Sequence, residues 1–312
     1  MGAKVELFGV DGSYFCLAGD GGGEQGVYLG TSPAGLCDAP VKVTYKSGAF
    51  EIGGTPVKKT IHYRELVLGL GAYAYSPEQW ALTDSMIRKA FDYEVDPWDP
   101  NATAARLRVT TDQSGSRDLL VLLSESPVMN MDTDPHDYEH SLLPVTLVAG
   151  QPMWFQDDVL DSWELTSGTS GSGTVTIGNP TDQPMSHTWV INGPAGAVFG
   201  LPDVSWTGPR YARVPGVDHT SGRDDSERIY TTPTLVSEDG GGATVEVDRM
   251  RLPIRSFTNT NLAGRTGGRR LLYKVPPYTP PTEVPVSVTG GAPGSGVVLR
   301  QPRLWSRPWG LE

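Results

Sequence analysis

Alternation between apolar and polar positions organises the first half of the chain. Residues 41–45 alternate as a strand does, and residues 58–70 continue the pattern over a longer run. In that run Tyr63, Glu65 and Val67 share one face, while Arg64, Leu66, Leu68 and Leu70 share the other. Successive side chains of a strand point to opposite faces, so this is read as one long half-buried strand. The period then changes. Ser76, Pro77 and Gln79 form a helix start, with Ser as the cap, Pro in the first turn and Gln three residues after the cap. Trp80, Met86, Ile87, Ala90 and Phe91 follow at helical spacing. Arg88 and Lys89 sit where the helix dipole favours cations, and Asp96-Pro97 and Asp99-Pro100 stop the helix. Residues 106–110 and 118–123 then read as a strand pair joined through 112–116, which has hairpin chemistry.

The second half is punctuated more heavily. Residues 142–148 resume strand character, and an acidic stretch, 154–163, follows Gln151-Pro152. A domain boundary is placed there, giving domains 1–150 and 151–312. Residues 167–173 are a Gly/Ser/Thr loop, and 174–177 and 187–192 are strands. Asn192-Gly193-Pro194 is a turn, 218–225 is a charged loop, and 238–242 turns into a strand over 244–247. Five prolines within 276–285 argue for an extended, polyproline-like backbone. Residues 297–299 return to strand. Trp305 and Trp309 stand so near the end that the terminus is expected to dock on something. The pattern leaves open which domain takes the segment 297–309.

Composition narrows the class. With 38 Gly and 26 Pro in 312 residues, long-helix folds and coiled coils are excluded. No Gly-X-Y period runs through the chain, and 8 Trp, 12 Tyr and 7 Phe supply large core groups. A turn-rich, mainly β protein fits. The net charge of −11 disfavours wrapping nucleic acid, because like charges repel. Cys16 and Cys37 are too few for a disulfide scaffold and are read as free thiols of a reducing compartment. Residues 1–12 carry acids and show no signal peptide. The most apolar window, 66–75, is far shorter than the roughly 20 residues needed to cross a bilayer, so no membrane insertion is expected.

Catalytic chemistry finds little footing. Gly19-Asp20-Gly21-Gly22-Gly23 is similar to a serine-protease nucleophile loop without its serine. Residues 168–172 approach the Gly-x-Ser-x-Gly elbow but lack its last glycine and are followed by a strand instead of a helix. Neither a P-loop nor a dinucleotide fingerprint occurs. Asp132, Asp134, His136, Asp137, Glu139 and His140 are the densest set of potential metal ligands. His136 and His140 are four apart, yet Pro135 argues against a stable helix, and the spacing does not match a calcium loop. A solvated loop is the plainer reading, an adventitious divalent site the sharper one. His62, His187 and His219 lie far apart and are read as structural. The pairs Asp157/Asp158 and Asp224/Asp225 are read as surface acids. Trp154, Trp163, Trp189 and Trp206 could stack on sugars, although core packing is the commoner fate of tryptophan. No catalytic, cofactor-binding or metal residue is assigned.

The order of features adds a resemblance. Residues 63–70, the helix from Ser76 to Phe91, and the strand pair 106–110 and 117–123 together resemble the N-terminal domain of siphophage distal tail (Dit-like) proteins. Residues 175–184, leading into Trp189 to Pro194, are similar to the start of that family's second domain. The endings at 271–279 and 303–312 are similar to minor tail proteins of actinobacteriophages. The resemblance implies a β-sandwich or split-barrel ring domain with one α-helix, followed by a galectin-like or carbohydrate-binding-module-like β-sandwich. It also implies a structural, non-enzymatic subunit of the virion, assembled in the host cytoplasm. Such subunits form a homohexameric ring at the distal end of the tail. The implied partners are the tail tube protein, the tape measure protein and the hub or tail-associated protein, with DNA only passing through the lumen. A carbohydrate-binding adhesion protein for host-wall glycans is the alternative.

Overall fold

In a computed structural model the described residues are 2–50, 52–129, 133–206 and 225–312. They form two compact units, one of Met1–Gln156 with Trp305–Glu312, the other of Asp157–Leu304. A single cut after residue 150 therefore does not divide the chain: it leaves the first unit after Gln156, and its last residues come back.

The first unit contains β1 (Lys4–Phe8), β2 (Tyr14–Ala18), β3 (Val27–Leu29), β4 (Val41–Lys46), β5 (Thr55–Ile61), β6 (Arg64–Tyr73), α1 (Pro77–Lys89), β7 (Ala105–Thr111), β8 (Gly115–Leu123), α2 (Pro135–Tyr138) and β9 (His140–Ala149). It also takes the first residues of β10 (Trp154–Glu164). Antiparallel pairing runs β2-β1-β7-β8 in one sheet and β3-β6-β9 in another, and β8 joins them by pairing Leu122 with Val148 and Leu123 with Leu147. The alternation decides which faces meet. Leu66, Leu68 and Leu70 of β6 and Leu143, Val145 and Leu147 of β9 are buried. They share one core with Leu7, Phe15, Leu17, Leu107, Val109, Leu119 and Val121. Burying each such side chain contributes about 2 kcal/mol.

The long strand expected over 58–70 is two strands. β5 pairs only with β4, whereas β6 pairs with β3 and β9, and the break falls at His62-Tyr63. The alternation from Arg64 onward is as expected. Helix α1 has its expected cap, with Ser76 Oγ accepting from the Gln79 amide at 3.2 Å. Trp80, Thr83 and Ile87 form its buried stripe, and Ala90 and Phe91 just beyond it are buried too. Met86 is half-exposed, because it lies one position, about 100° of helix, away from Ile87.

The second unit takes the rest of β10, then β11 (Ser170–Asn179), β12 (Thr188–Asn192), β13 (Val198–Pro202), β14 (Ile229–Thr231), β15 (Gly242–Glu246), β16 (Ile254–Ser256) and β17 (Thr279–Thr289). β18 (Gly296–Trp305) carries the chain back to the first unit at its last residue. One antiparallel sheet runs β16-β15-β12-β18 and the other β11-β17-β13-β14. Trp189, Ile191, Ala243, Val245, Val297 and Leu299 of the first sheet share a core with Val175, Ile177, Phe199, Leu201, Val284 and Val286 of the second. That is a β-sandwich.

One segment read as a loop and one read as extended polyproline-like backbone are both strands. Ser170 to Gly173 open β11, where Gly173 faces Val286, and the Trp163 ring stands where a side chain on Gly173 would go. Residues 279–285 are ladder rather than free polyproline, with Thr174 opposite Pro285 and Ile177 opposite Thr282. β13 reaches β17 only from Ser287 onward, so the prolines lie where β17 has a neighbour on one side alone. Edge positions tolerate a residue without an N–H.

Candidate functional site

Two buried arginines of the first unit hold the chain end. Arg64 is 1% exposed at the start of β6. Its Nε donates to Pro152 O at 2.7 Å, and its Nη1 donates to the carbonyls of Gly35, Leu36, Cys37 and Asp38 at 2.9 to 3.4 Å. Its Nη2 donates to Ser306 O at 2.8 Å. Burial pulls its pKa down to about 10, against the pull of the Asp38 charge, so it keeps its proton at neutral pH. A planar guanidinium with five donors suits such a ring of carbonyls, which a lysine would not match.

Arg117 of β8 does the same for the last turn. Its guanidinium stacks 3.8 Å from the centre of the Trp305 ring. It donates to Arg307 O and Gly310 O, each at 2.9 Å, and pairs with the Glu312 carboxylate at 2.6 Å. Trp305 is buried and its indole N–H donates to Gln156 Oε1 at 2.7 Å. The expected docking of the C-terminal tryptophans is therefore onto the first unit's own core, and the segment 297–309 is split at Leu304. Sequence reasoning did not single out Arg64 or Arg117 for this role. The one available signal was a charged residue at a core-facing position of an alternating strand.

The same unit exposes a separate two-stranded hairpin. Among the described residues β4 and β5 pair only with each other, and Val41, Val43, Tyr45, Val57 and Ile61 are all exposed. Phe50 and Ile52 at its tip are fully exposed. Lys42, Lys46, Lys58 and Lys59 line its stem. An isolated hairpin is at best marginally stable in water, and contiguous exposed apolar groups mark an interaction surface.

The metal-ligand candidates do not converge. Asp134 caps the single turn α2, accepting from the His136 amide at 2.9 Å and meeting His136 Nδ1 at 3.1 Å. Pro135 takes the first position of that turn, where its missing N–H is not needed, so a short helix forms after all. His140 lies beyond it in β9 and meets the Tyr28 hydroxyl at 2.7 Å, so the two histidines share no face. Asp137 and Glu139 make no cluster with them, and among the described residues no three potential ligands gather. Asp132, His219 and Asp224 lie outside the described residues. His62 borders an open groove with Pro40, Tyr63 and Glu65.

In the second unit, His187 is buried and burial lowers its pKa to about 4. Among the described residues neither ring nitrogen has a hydrogen-bond partner. Its ring stands edge-on to Trp189, centroids 6.0 Å apart, and it borders a cavity of about 10 Å³ with Asp203, Trp206 and Tyr273. Asp203, which the sequence did not flag, is buried, accepts from the Leu272 and Tyr273 amides at 2.9 and 3.0 Å, and pairs with Arg228. Burial raises its pKa in spite of those partners. Asp225 is buried and accepts from the Tyr273 hydroxyl, so it is not the surface acid expected. Asp157 and Asp158 are exposed, and Asp158 pairs with Arg300 at 2.7 Å. Trp154 and Trp189 are fully buried, and Trp163 and Trp206 are half-buried against the second core. Both cysteines are free thiols.

No family model matches the chain. Minor tail protein Gp27 of Mycobacterium phage D29 is 30% identical over 346 aligned residues, which cover 99% of this chain and 98% of that protein. The chain belongs to this family of mycobacteriophage minor tail proteins. The family's member in Mycobacterium phage L5, also named minor tail protein Gp27, is 31% identical over 99% of this chain and 98% of its own length. Among solved structures, the crystal structure of the Dit protein (gp 19.1) of phage SPP1 matches 96% of this chain and 98% of its own length at a TM-score of 0.54. Its sequence identity is 8%, so the likeness is one of fold. The family's relatives are structural proteins of the phage tail, and the mainly β, Dit-like fold read from the sequence is borne out. Among the described residues no helix is long and apolar enough to cross a membrane.

Proposed function

We propose that this minor tail protein forms a homohexameric ring at the distal end of the tail. The first unit makes the ring, and the second unit is a galectin-like or carbohydrate-binding-module-like sandwich. The ring joins the tail tube protein to the hub or tail-associated protein, surrounds the tape measure protein, and lets DNA pass through its lumen. It is assembled in the host cytoplasm and has no catalytic role. Family membership and the whole-length fold likeness to SPP1 Dit, described as a hub adsorption apparatus protein, support this reading. The observation that carries it to self-assembly is the unpartnered hairpin β4–β5, whose apolar tip gains nothing in an isolated chain. The acidic charge of −11 suits a lumen that DNA must pass without adhering. The alternative, an adhesion module for host-wall glycans, draws no support from Trp154 and Trp189, which are buried in the two cores.

Light scattering followed by negative-stain imaging of the same peak tests the ring. The expected result is a ring with six times the 33.5 kDa mass of the chain. A particle that stays at the monomer mass, both alone and beside co-expressed tail-tube and hub proteins, contradicts it.

A further inference from the structure

The hairpin has a complement elsewhere on the same unit. Residues 92–99, between α1 and β7, carry Asp92, Glu94, Asp96 and Asp99 and no lysine or arginine. Tyr93, Val95 and Trp98 stand exposed among them, Trp98 at 91% of its full area. The segment holds its shape by short local bonds: the Trp98 amide donates to Asp96 Oδ1 at 2.8 Å, and the Asn101 amide donates to Asp99 Oδ1 at 2.8 Å. An exposed tryptophan in an ordered, acidic turn is a group with area to bury and nothing on its own chain that buries it. The hairpin offers the opposite charge balance, with Lys42, Lys46, Lys58 and Lys59 against the one acid Glu51, and Phe50 and Ile52 as apolar groups at its tip.

We infer that the hairpin β4–β5 of one copy docks on the acidic, aromatic segment 92–99 of the next copy. The occupant of each surface is thus a second copy of this chain. Charge decides the pairing: two basic hairpins repel each other, as do two acidic segments, whereas hairpin and segment attract. Where the hairpin engages one neighbour and the segment another, the contact is head to tail and propagates around a ring or along a filament. This contact rests on the ring reading and supplies its interface. Phe50 and Ile52 would cover Trp98, with aromatic and aliphatic anchors at the centre and the lysine–carboxylate pairs at the rim.

The test uses the full-length chain. Phe50 is replaced by a photo-crosslinking phenylalanine analogue, and the adduct is mapped by mass spectrometry. The expected adduct joins position 50 of one copy to residues 92–99 of another. In parallel, the doubly reversed stem (Lys58→Glu with Lys59→Glu) and the reversed segment (Glu94→Lys) should each lower the assembled fraction at fixed concentration by about tenfold or more. Mixing the two variants should restore assembly in part. All three residues are exposed, so circular dichroism and the melting temperature should stay unchanged. A wild-type ring whose adducts map elsewhere, and whose mass ignores the reversals, overturns this pairing and leaves the ring reading standing. A wild-type chain that never exceeds monomer mass removes both. Hairpin-dependent capture by anionic phospholipid vesicles, with ring mass insensitive to the reversals, would mean that the hairpin serves a lipid surface and would likewise overturn the pairing.

Discussion

The two units differ in how their buried aromatic rings are served. In the first, the three buried indoles all find acceptors: Trp80 donates to Ser141 Oγ, Trp154 to Leu36 O and Trp305 to Gln156 Oε1. Its two buried arginines gather backbone carbonyls from distant segments. In the second, the Trp189 indole, the Tyr230 hydroxyl and both nitrogens of His187 are buried with no hydrogen-bond partner among the described residues. A satisfied buried network fixes one arrangement, while each unsatisfied group costs about 1–3 kcal/mol. The first unit thus holds its own chain end in a defined arrangement. The second tolerates local imperfection.

The contrast can be broken most forcefully at Arg64. Arg64→Met withdraws the guanidinium from six carbonyls, of which Leu36 O keeps the Trp154 indole, and should cost the first unit about 3–5 kcal/mol. Urea unfolding followed by hydrogen exchange over β6 and the segment 305–312 reads the loss. A change below 1 kcal/mol would show that the clamp is ornamental.

His187 should give the next largest effect, through pH. The unfolded side chain takes a proton near pH 6.5, while the folded one, desolvated, takes it only near 4. The unfolded chain therefore binds more protons between these values. The contribution is intact above about pH 6.5 and lost as pH falls to about 4, by roughly 3 kcal/mol. Asp203, whose raised pKa favours the protonated folded form, works against this at the acid end. His187→Phe should flatten the His187 part of the profile in denaturant titrations from pH 4 to 7. An identical slope in the variant would mean that other groups govern acid unfolding.

Two smaller substitutions sharpen the comparison. Gly173→Ala drives a methyl into the Trp163 ring and should destabilise the second unit by about 1–3 kcal/mol, seen as a lower thermal midpoint. Ser76→Ala removes the cap of α1 and should cost the first unit about 1 kcal/mol, seen as faster amide exchange in the first helical turn.

Local rules made part of this legible. The cap at Ser76, the hairpin of β7 and β8, and the inward face of Leu66, Leu68 and Leu70 follow from period and turn chemistry. What escaped was decided by tertiary partners. The break at His62-Tyr63 exists because β5 and β6 pair with different strands, which alternation does not encode. Gly173 reads as linker until Trp163 is placed beside it. Arg64 and Arg117 look like ordinary strand charges until the carbonyls of residues 35–38 and 306–310 are brought around them. The hairpin β4–β5 was readable as strand, yet its isolation from the core was not.

The central claim is that assembly chemistry resides in the first unit. Comparing hydrogen exchange of the wild-type chain in its assembled and monomeric states tests it most directly. New protection is expected over residues 41–61 and 92–99, with exchange in the second unit's sandwich unchanged. Protection confined to the second unit, with the hairpin exchanging freely in the assembly, would contradict the account.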